Sequence, residues 1–307
     1  MISKSFQIDE NNINKRLDIF LAENLDGLSR GIVQKFILQN QVKVNNEKSY
    51  KDYKLKLGDS IKISLVEQQK DVDEPQEIPI DTIFENDDLI VLNKSAGLTV
   101  HPGAGQKDNT LINGLIFKYP ELNSIERYGL VHRLDKDTSG LMLIARNQKS
   151  HTLITNMIQN RAIHRGYKAL VHGVPISGGT IEKPIGRHPT NRLIFCVREG
   201  GRNSITHFKV LKKFKNFSLL DISLETGRTH QIRVHMKHKG FPIVGDKAYC
   251  NITQWKDSND DEMKAVNSLK RQALHAYKLG FNLNEEKFSF KCELPNDIQK
   301  CLDHLQS

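Results

Sequence analysis

Residues 16–65 carry two hydrophobic patterns in succession, first helical and then strand-like. Apolar residues recur every three or four positions in residues 17–21 and 32–37, as they do on the buried face of an amphipathic helix. Apolar and polar residues then alternate in residues 41–45 and 61–65, as in half-buried strands. The pattern predicts a small α+β domain in which two helices precede two strands.

Residues 66–80 interrupt this pattern with polar and acidic positions. They contain five acidic residues, one lysine and two prolines. This composition is typical of a linker. A chain of 307 residues is long enough for two domains. We therefore predict a small domain at residues 1–66, a linker at residues 67–80 and a larger domain at residues 81–307.

From residue 81 onward, short β-like stretches mix with a few helical ones. The predicted strands cover residues 89–92, 141–145, 167–171 and 217–224. The predicted helices cover residues 109–118, 148–160, 229–239 and 296–305. Because strands and helices do not alternate regularly, we predict that the larger domain is α+β and is built around a largely antiparallel mixed sheet.

The composition bounds the cellular setting. Hydrophobic residues make up 38% of the chain, which is enough for a buried core. No apolar stretch reaches the roughly 18 residues that span a membrane, and the first residues lack the apolar run of a secretion signal. The four cysteines form no Cys-x-x-Cys pair, and His230, His235 and His238 do not share one helical face. We expect a cytoplasmic protein with no membrane partner and no metal site.

The charge distribution favours a polyanionic partner. The chain has a formal net charge of +9, and residues 181–215 hold nine Lys or Arg against two Glu. A basic stripe attracts phosphate backbones because binding releases their counterions. On charge alone, nucleic-acid binding and an ordinary solvated face both remain open.

The polar run from His132 to Gly140 lies between two apolar stretches and carries the most informative chemistry. Burying a carboxylate without partners is costly, so Asp135 must be either solvated or held by neighbouring groups. Thr138 and Ser139 supply hydroxyls, and Gly140 supplies a flexible turn just before a predicted strand. Such a loop can aim a carboxylate into a cleft.

Two interpretations of this run follow from the residues alone: a solvated turn and a magnesium-dependent phosphatase. The spacing Asp135-x-Asp137 before a hydroxyl residue resembles the motif of the haloacid dehalogenase family. That motif follows an unbroken apolar strand, whereas His132 and Arg133 interrupt the strand here. The second carboxylate pair that this family needs is also missing in context, because the acidic pair at 260–261 lies in a polar, helix-breaking stretch.

A third interpretation is a family resemblance. The run from His132 to Leu141 closely resembles the signature of the RluA-type pseudouridine synthases. Further blocks match that family in the same order, at residues 100–105, 188–190, 225–236 and 271–276. Together with the N-terminal module, the matching blocks extend from residue 16 to about residue 300.

The N-terminal module resembles the small RNA-binding domain named after ribosomal protein S4. The matching features are Ser29-Arg30 at the start of the second helix and the Leu-Gly-Asp turn at 57–59 before the last strand. By this resemblance, Arg30, Lys35 and Lys43 would contact RNA phosphates, which carry no sequence information directly. A plain charged surface is the alternative.

The RluA-type resemblance implies an enzyme that isomerises uridine to pseudouridine in RNA. The glycosidic C–N bond breaks, the uracil rotates, and a ring carbon rejoins the sugar without redox change, phosphate donor or metal. No cofactor is therefore expected, and the sequence contains no P-loop or dinucleotide fingerprint. A carboxylate could attack the sugar, attack the base, or remove a sugar proton, and the sequence leaves these routes open.

The resemblance also implies residue roles. Asp135 would be the catalytic carboxylate, and Arg228 the basic partner that keeps it ionised, with phosphate binding as the alternative for Arg228. Tyr167 would stack on the uracil and take part in the final proton removal. Arg133 would fill the gap that a flipped uridine leaves in its helix, or contact a phosphate. Arg233 is expected to be structural or phosphate-binding.

The blocks at residues 101–105, 179–185 and 188–190 are most similar to one member of the family. That member modifies uridines in large-subunit (23S) ribosomal RNA, in the stem-loop that bridges to the small subunit. A sister type that acts elsewhere on the same RNA, and a non-catalytic assembly factor that binds ribosomal RNA, remain open. The expected partner is large-subunit ribosomal RNA or an assembling large-subunit particle, and we expect a monomer.

Overall fold

The chain divides into two compact units, Met1–Val72 and Asp73–Ser307. The computed structural model describes residues 2–25, 30–65, 74–103, 106–250 and 261–305. Ser29, at the start of the predicted second helix, and residues 67–73 of the predicted linker lie outside the described residues. No helix in the described ranges is long and apolar enough to cross a membrane.

The first unit is a four-stranded antiparallel sheet, in the order β1-β4-β2-β3, accompanied by two helices. Its elements are β1 (Ile2–Gln7), α1 (Leu17–Asn24), α2 (Arg30–Leu38), β2 (Val42–Val44), β3 (Glu47–Lys48) and β4 (Ser60–Leu65). The two helices, β2 and β4 lie where the hydrophobic pattern predicts them. The strand β1 is an addition, since its polar sequence gives little β signal and it is defined by pairing with β4.

The second unit is larger and, among the described residues, contains eleven strands and five α-helices. Its first elements are β5 (Asp81–Glu85), β6 (Leu89–Lys94), α3 (Leu111–Lys118), β7 (Ser139–Ala145), α4 (Gln148–Gln159) and β8 (His164–His172). Its middle elements are β9 (Gly179–Glu182), β10 (Ile185–Arg187), β11 (Phe195–Val197), β12 (Ile205–Lys213), β13 (Phe217–Leu224) and α5 (Gln231–His238). Its last elements are α6 (Asp261–Ser268), β14 (Leu274–Leu283), β15 (Glu286–Lys291) and α7 (Asn296–His304).

Nine strands of the second unit form one sheet. The order is β5-β6-β7-β14-β8-β13-β12-β9, with β15 paired to β14. Neighbouring strands in this sheet are antiparallel except for the pair β7 and β14, which is parallel. The predicted α+β fold with a largely antiparallel mixed sheet is confirmed.

The strand β7 is buried on both faces and is fixed between two cores. All 7 of its residues are buried. Alternate side chains of β6 and β7 enter different cores, as the two-residue repeat of a strand requires. One core takes Ile90, Leu92, Met142 and Ile144, and the other takes Leu89, Val91, Leu141 and Leu143. The segment that precedes β7 is therefore attached to a rigid strand.

Part of the predicted linker belongs to the second unit. The backbone N–H of Gln76 donates to the carbonyl of Asn113 in α3 at 3.0 Å, and the Asn113 side chain donates to the carbonyl of Glu74 at 2.8 Å. The Cβ of Ile78 lies against Gly114 of the same helix. Residues 74–80 are therefore tied to α3 rather than running free.

Residues 261–268 form the helix α6, although the sequence suggests a helix-breaking segment at 260–261; residue 260 lies outside the described residues. The helix α6 buries Met263, Ala265 and Val266 in the main core of the second unit. Tertiary burial of these three apolar residues outweighs the weak helical signal of their polar neighbours.

Candidate active site

The loop formed by residues 130–138, called the Asp135 loop below, leads directly into β7. Its turn closes through a hydrogen bond from the N–H of Thr138 to the carbonyl of Asp135 at 3.1 Å. Just inside the strand, Gly140 has φ +118°, and a Cβ there would lie 2.3 Å from the carbonyl oxygen of Ala276 in β14. Only glycine permits this approach, which seats the loop on the sheet.

Three side chains hold the Asp135 loop, two through backbone carbonyls and one through a hydroxyl. The Nζ of Lys94 donates to the carbonyl of Lys136 at 2.9 Å. The Nη1 of Arg271 donates to the carbonyl of Asp137 at 3.1 Å, and Gln272 donates to the Thr138 hydroxyl at 3.2 Å. Three consecutive residues of the loop, 136 to 138, are therefore each held by a hydrogen bond from another segment.

Sequence reasoning did not single out Lys94. This lysine ends β6 and is only 1% exposed, and it also donates to the carbonyls of Ser95 and Leu98. Burial lowers the pKa of Lys94 to about 7, against the opposing charges of Asp137 and Asp135. Lysine is rarely buried unless its ammonium group has partners. The position of Lys94 at the end of an otherwise apolar strand could therefore have indicated a buried, hydrogen-bonded lysine.

Asp135 forms an ion pair with Arg233. The Nη1 of Arg233 donates to Oδ2 of Asp135 at 3.0 Å, while its Nε and Nη2 bind the two oxygens of Asp246 at 2.7 and 2.8 Å. Burial acts to lower the pKa of Arg233, but the hydrogen bonds and charges of Asp246 and Asp135 raise it above the ordinary value. The guanidinium therefore stays charged and binds the Asp135 carboxylate through a charge-assisted hydrogen bond.

Arg228, the partner expected from the sequence, lies elsewhere in the same cleft. Its side chain is exposed and its Nε donates to the carbonyl of Asn203 at 3.4 Å. Its backbone N–H donates to Gln231 at the start of α5. The ion pair falls to Arg233 because that residue is on the buried face of α5, whereas Arg228 precedes the helix on an exposed turn.

Tyr167 lies on β8 and lines the cleft with Asp135. The side chain is 6% exposed, and burial raises the pKa of Tyr167, with Arg165 opposing and Asp135 adding to the shift. The phenol is therefore neutral near pH 7 and can act as a proton donor or as a flat apolar face.

His132 fastens the beginning of the Asp135 loop to β7. Its Nε2 accepts a hydrogen bond from the backbone N–H of Leu143 at 3.0 Å. Burial, together with the charge of Arg165, lowers the pKa of His132 to about 3. The ring is therefore neutral at physiological pH and remains an acceptor.

The cleft around Asp135 has a volume of about 470 Å³ and is strongly basic. Six arginines line it, namely Arg127, Arg133, Arg161, Arg165, Arg228 and Arg233. The acidic residues that line it are Asp135 and Glu225, and Glu225 is paired with Arg161 and His207. Such a cleft attracts a polyanion and directs it to the carboxylate.

Two of the three histidines near α5 use their ring nitrogens on protein groups. His235 is buried and bonds to the Thr206 hydroxyl and the Lys183 carbonyl. The Nδ1 of His230 lies 2.7 Å from the Tyr249 hydroxyl. Among the described residues, no three His, Cys, Asp or Glu side chains converge as metal ligands.

In the first unit, the RNA-contact candidates occupy solvent-facing positions where their side chains are described. Arg30 donates to Asp18, a fully buried carboxylate that also binds Arg16 and Gln34. Lys43 is exposed on β2. The side chain of Lys35 lies outside the described residues. Arg16, which the sequence did not single out, is oriented by the same aspartate.

An aspartate paired with a buried arginine, in a cleft lined by six arginines, suits an enzyme that acts on a polyanionic substrate. The second unit matches the RNA pseudouridylate synthase family model over residues 88–238, and the first matches the S4 domain over residues 15–61.

Whole-chain relatives extend these matches. The chain is 41% identical over 292 residues to ribosomal large subunit pseudouridine synthase D of Buchnera aphidicola subsp. Acyrthosiphon pisum, covering 94% of each chain. It is 39% identical to the enzyme of that name from Xanthomonas campestris pv. campestris, covering 95% of this chain and 89% of the relative. The chain therefore belongs to the RNA pseudouridylate synthase family and is an isomerase that converts uridine to pseudouridine, as the motifs predict.

Solved structures agree on the fold. Human RNA pseudouridylate synthase domain containing 4 superposes with a TM-score of 0.59 at 23% identity, covering 74% of this chain and 93% of that one. Human RNA pseudouridylate synthase domain containing 1 gives a TM-score of 0.56 at 23% identity, covering 78% and 98%. At this identity the likeness concerns the fold alone.

Proposed function

We propose that the protein makes pseudouridine in large-subunit ribosomal RNA, in the stem-loop that bridges to the small subunit. Support comes from relatives named ribosomal large subunit pseudouridine synthase D, at 39% and 41% identity over nearly the whole chain. The type that acts on other uridines of the same RNA is the alternative. The substrate is the RNA itself or an assembling large-subunit particle.

The observation that carries the proposal is the ion pair between Asp135 and Arg233 at the floor of the cleft. A carboxylate there can attack C1′ of the sugar or remove the 2′ proton of a bound uridine. Arg233 supports this by positioning the Asp135 carboxylate through its hydrogen bond. Tyr167 faces the same space, where its ring would stack on the uracil and its hydroxyl would help the closing proton transfer. Arg228 would bind an RNA phosphate.

The target uridine must leave its helix to reach Asp135. Arg133 lies two positions before Asp135 on the exposed side of the loop, with Nη1 3.3 Å from Nε2 of His101. An exposed planar guanidinium at the mouth of the cleft suits a wedge that replaces the flipped base. Unstacking a base costs a few kcal/mol, so such a replacement would offset part of that cost.

The first unit would bind the RNA outside the cleft. Its candidates are Arg30, Lys35 and Lys43, with Arg16 as an addition. We propose a small domain at residues 1–66 and a catalytic domain in which residues 74–80 join residues 81–307. We also propose a monomeric state and a cytoplasmic location, which fit an enzyme of ribosomal RNA.

The test uses purified protein with unmodified large-subunit ribosomal RNA and maps pseudouridines by chemical labelling. Product confined to the bridge stem-loop supports the proposal, whereas product at other positions assigns the alternative type. Asp135→Asn should lower kcat by roughly 10³-fold or more while RNA affinity stays largely unchanged. An active Asp135→Asn protein would contradict the role of the carboxylate, and an inactive wild-type protein would contradict the proposed substrate.

A further inference from the structure

Arg165 shares the catalytic face of β8 with Tyr167. The two residues are two positions apart on the strand, so their side chains point the same way, and both line the cleft. Arg165 is only 6% exposed. Its guanidinium therefore lies within the cleft, beside the ring of Tyr167 and close enough to affect the pKa values of Tyr167 and His132.

Arg165 has no protein partner among the described residues. Its side chain makes no hydrogen bond or ion pair there, and its Nε is buried without an acceptor. Other arginines of the unit differ: Arg233 binds two aspartates and Arg271 binds Asp297. A buried cation without a counterion is strongly destabilising, so it points to an anion that is present only when the substrate is bound.

The turn opposite Arg165 makes room for its guanidinium. A Cβ on Gly227 would lie 2.8 Å from Nη1 of Arg165, closer than real contacts allow. Gly227 precedes Arg228 in the turn that forms the wall of the cleft. The absence of a side chain at this position leaves the guanidinium uncovered on that side.

The isomerisation creates an anion in this space whenever Asp135 acts on the sugar. The C1′–N1 bond breaks with its electron pair moving to N1, so the detached uracil carries negative charge over N1, O2 and O4. Asp135 compensates by bonding to C1′ or by taking the 2′ proton. C5 of the rotated uracil then bonds to C1′, C5 loses its proton, N1 gains one, and Asp135 is regenerated, so the product is an isomer.

We propose that Arg165 is a catalytic residue that stabilises the negative charge on the uracil while it is detached from the sugar. This inference rests on the proposed function and adds a second charge to the mechanism. Asp135 meets the positive charge that develops on the sugar, and Arg165 meets the negative charge on the base. A cation already fixed in a dry site stabilises such charge without reorganisation.

The first test compares Arg165→Met and Arg165→Lys in single-turnover assays on unmodified large-subunit RNA. Arg165→Met is expected to lower the rate constant by roughly 10²- to 10³-fold, as loss of one oxyanion donor does, with Kd for RNA unchanged. Arg165→Lys retains the charge and is expected to recover part of the rate. Because the buried cation lacks a partner, Arg165→Met should melt at the same temperature as wild type or higher.

Arg146→Met serves as the matched control. Arg146 lies outside the cleft and pairs with Glu121 at 2.8 Å. The control is expected to leave the rate constant unchanged and to lower the melting temperature slightly. Opposite effects of the two Arg→Met changes separate a catalytic contribution from a structural one.

The second test replaces the target uridine with 5-fluorouridine, whose base is a better leaving group and needs less stabilisation. The rate of glycosidic cleavage is followed as loss of 5-fluorouridine from nuclease digests. The defect of Arg165→Met, relative to wild type, is expected to be at least several-fold smaller on this RNA. An equal defect on both RNAs overturns the inference.

Two other results also overturn it. A raised Kd and a weaker salt dependence with an unchanged rate constant would make Arg165 a phosphate contact. A wild-type rate constant in Arg165→Met would leave it without a role in catalysis. Neither result affects the proposed function, which is tested separately by whether and where the wild-type protein forms pseudouridine.

Discussion

At the scale of single residues, Arg228 and Arg233 differ in environment although they are close in sequence. Arg233 is buried between two aspartates, and Arg228 is exposed on a turn. Arginine suits both positions. A buried guanidinium can form several hydrogen bonds to carboxylates, and an exposed one can bind a phosphate. The sequence identifies both as basic residues beside the site, and burial decides which one forms the ion pair with Asp135.

Substitution should separate these two arginines. Arg233→Lys keeps the charge but cannot bind Asp135 and Asp246 together, so kcat should fall by roughly 10²-fold. Arg228→Gln should instead weaken RNA binding and reduce the salt slope by about one, with kcat nearly unchanged. Single-turnover rates and RNA affinities at several salt concentrations provide the measurement. A larger kcat loss in Arg228→Gln than in Arg233→Lys would reverse the assignment.

His132 gives the protein an acid-sensitive contact. The pKa of His132 is about 3 in the folded protein, against roughly 6.5 in an unfolded chain. Between these values the unfolded chain binds a proton that the folded protein does not, so stability falls as the pH falls. The contribution of neutral His132 to the free energy of unfolding is fully present above about pH 6.5 and is lost progressively down to about pH 3.

The expected signature is a difference between wild type and His132→Gln. From pH 6.5 to pH 4, the free energy of unfolding in urea should decline less steeply in the variant, because glutamine does not titrate. Other histidines, such as His172 and His275, contribute equally to both proteins. Parallel declines in the two proteins would show that His132 is not the titrating group.

At the scale of elements, two arginine–aspartate pairs, each anchored to a different helix or loop, hold the Asp135 loop. Arg233 on α5 binds Asp246 and uses Nη1 on the side chain of Asp135. Arg271, before β14, binds Asp297 on α7 at 2.7 and 2.9 Å and uses Nη1 on the carbonyl of Asp137. The helix α7 is anchored in the core through Ile298, Cys301, Leu302 and Leu305. The helix α7 thus stabilises the Asp135 loop indirectly, through Arg271.

The helix α7 should therefore affect catalysis. Asp297→Asn weakens the grip on Arg271 and is expected to lower kcat by roughly tenfold or more without changing KM, because small displacements of a reacting group are costly. Asp303→Asn removes the same charge from the exposed side of α7, where Asp303 accepts a hydrogen bond from Gln299 of the same helix, and should behave as wild type. Hydrogen exchange at the backbone amide of Thr138 should accelerate in Asp297→Asn and not in Asp303→Asn. Unchanged exchange in both variants would show that α7 does not stabilise the Asp135 loop.

At the scale of the whole chain, the catalytic unit assembles its site from segments that are distant in sequence. The strand β6 brings Lys94, β8 brings Arg165 and Tyr167, and α5 brings Arg233. The sheet places these segments side by side because β14 pairs with both β7 and β8. The large antiparallel sheet is therefore what converges the charges on one cleft.

The first unit has its own core and its own charged cluster around Asp18. The chain thus combines a unit that carries exposed cations with a unit that carries the chemistry. This division agrees with a polyanionic substrate that contacts more surface than the cleft alone provides.

The sequence by itself determined the α+β class, the position of most strands and helices, and the family, and it placed Asp135 within the family signature. These features rest on local information, since hydrophobic periodicity reports burial along one element and the run from His132 to Leu141 is contiguous. Only the tertiary structure decided that Arg233 rather than Arg228 binds Asp135, that Lys94 and Arg271 hold the loop, and that Arg165 is buried without a partner. Those facts depend on contacts across the sheet between distant segments, and a pattern along one chain does not encode them.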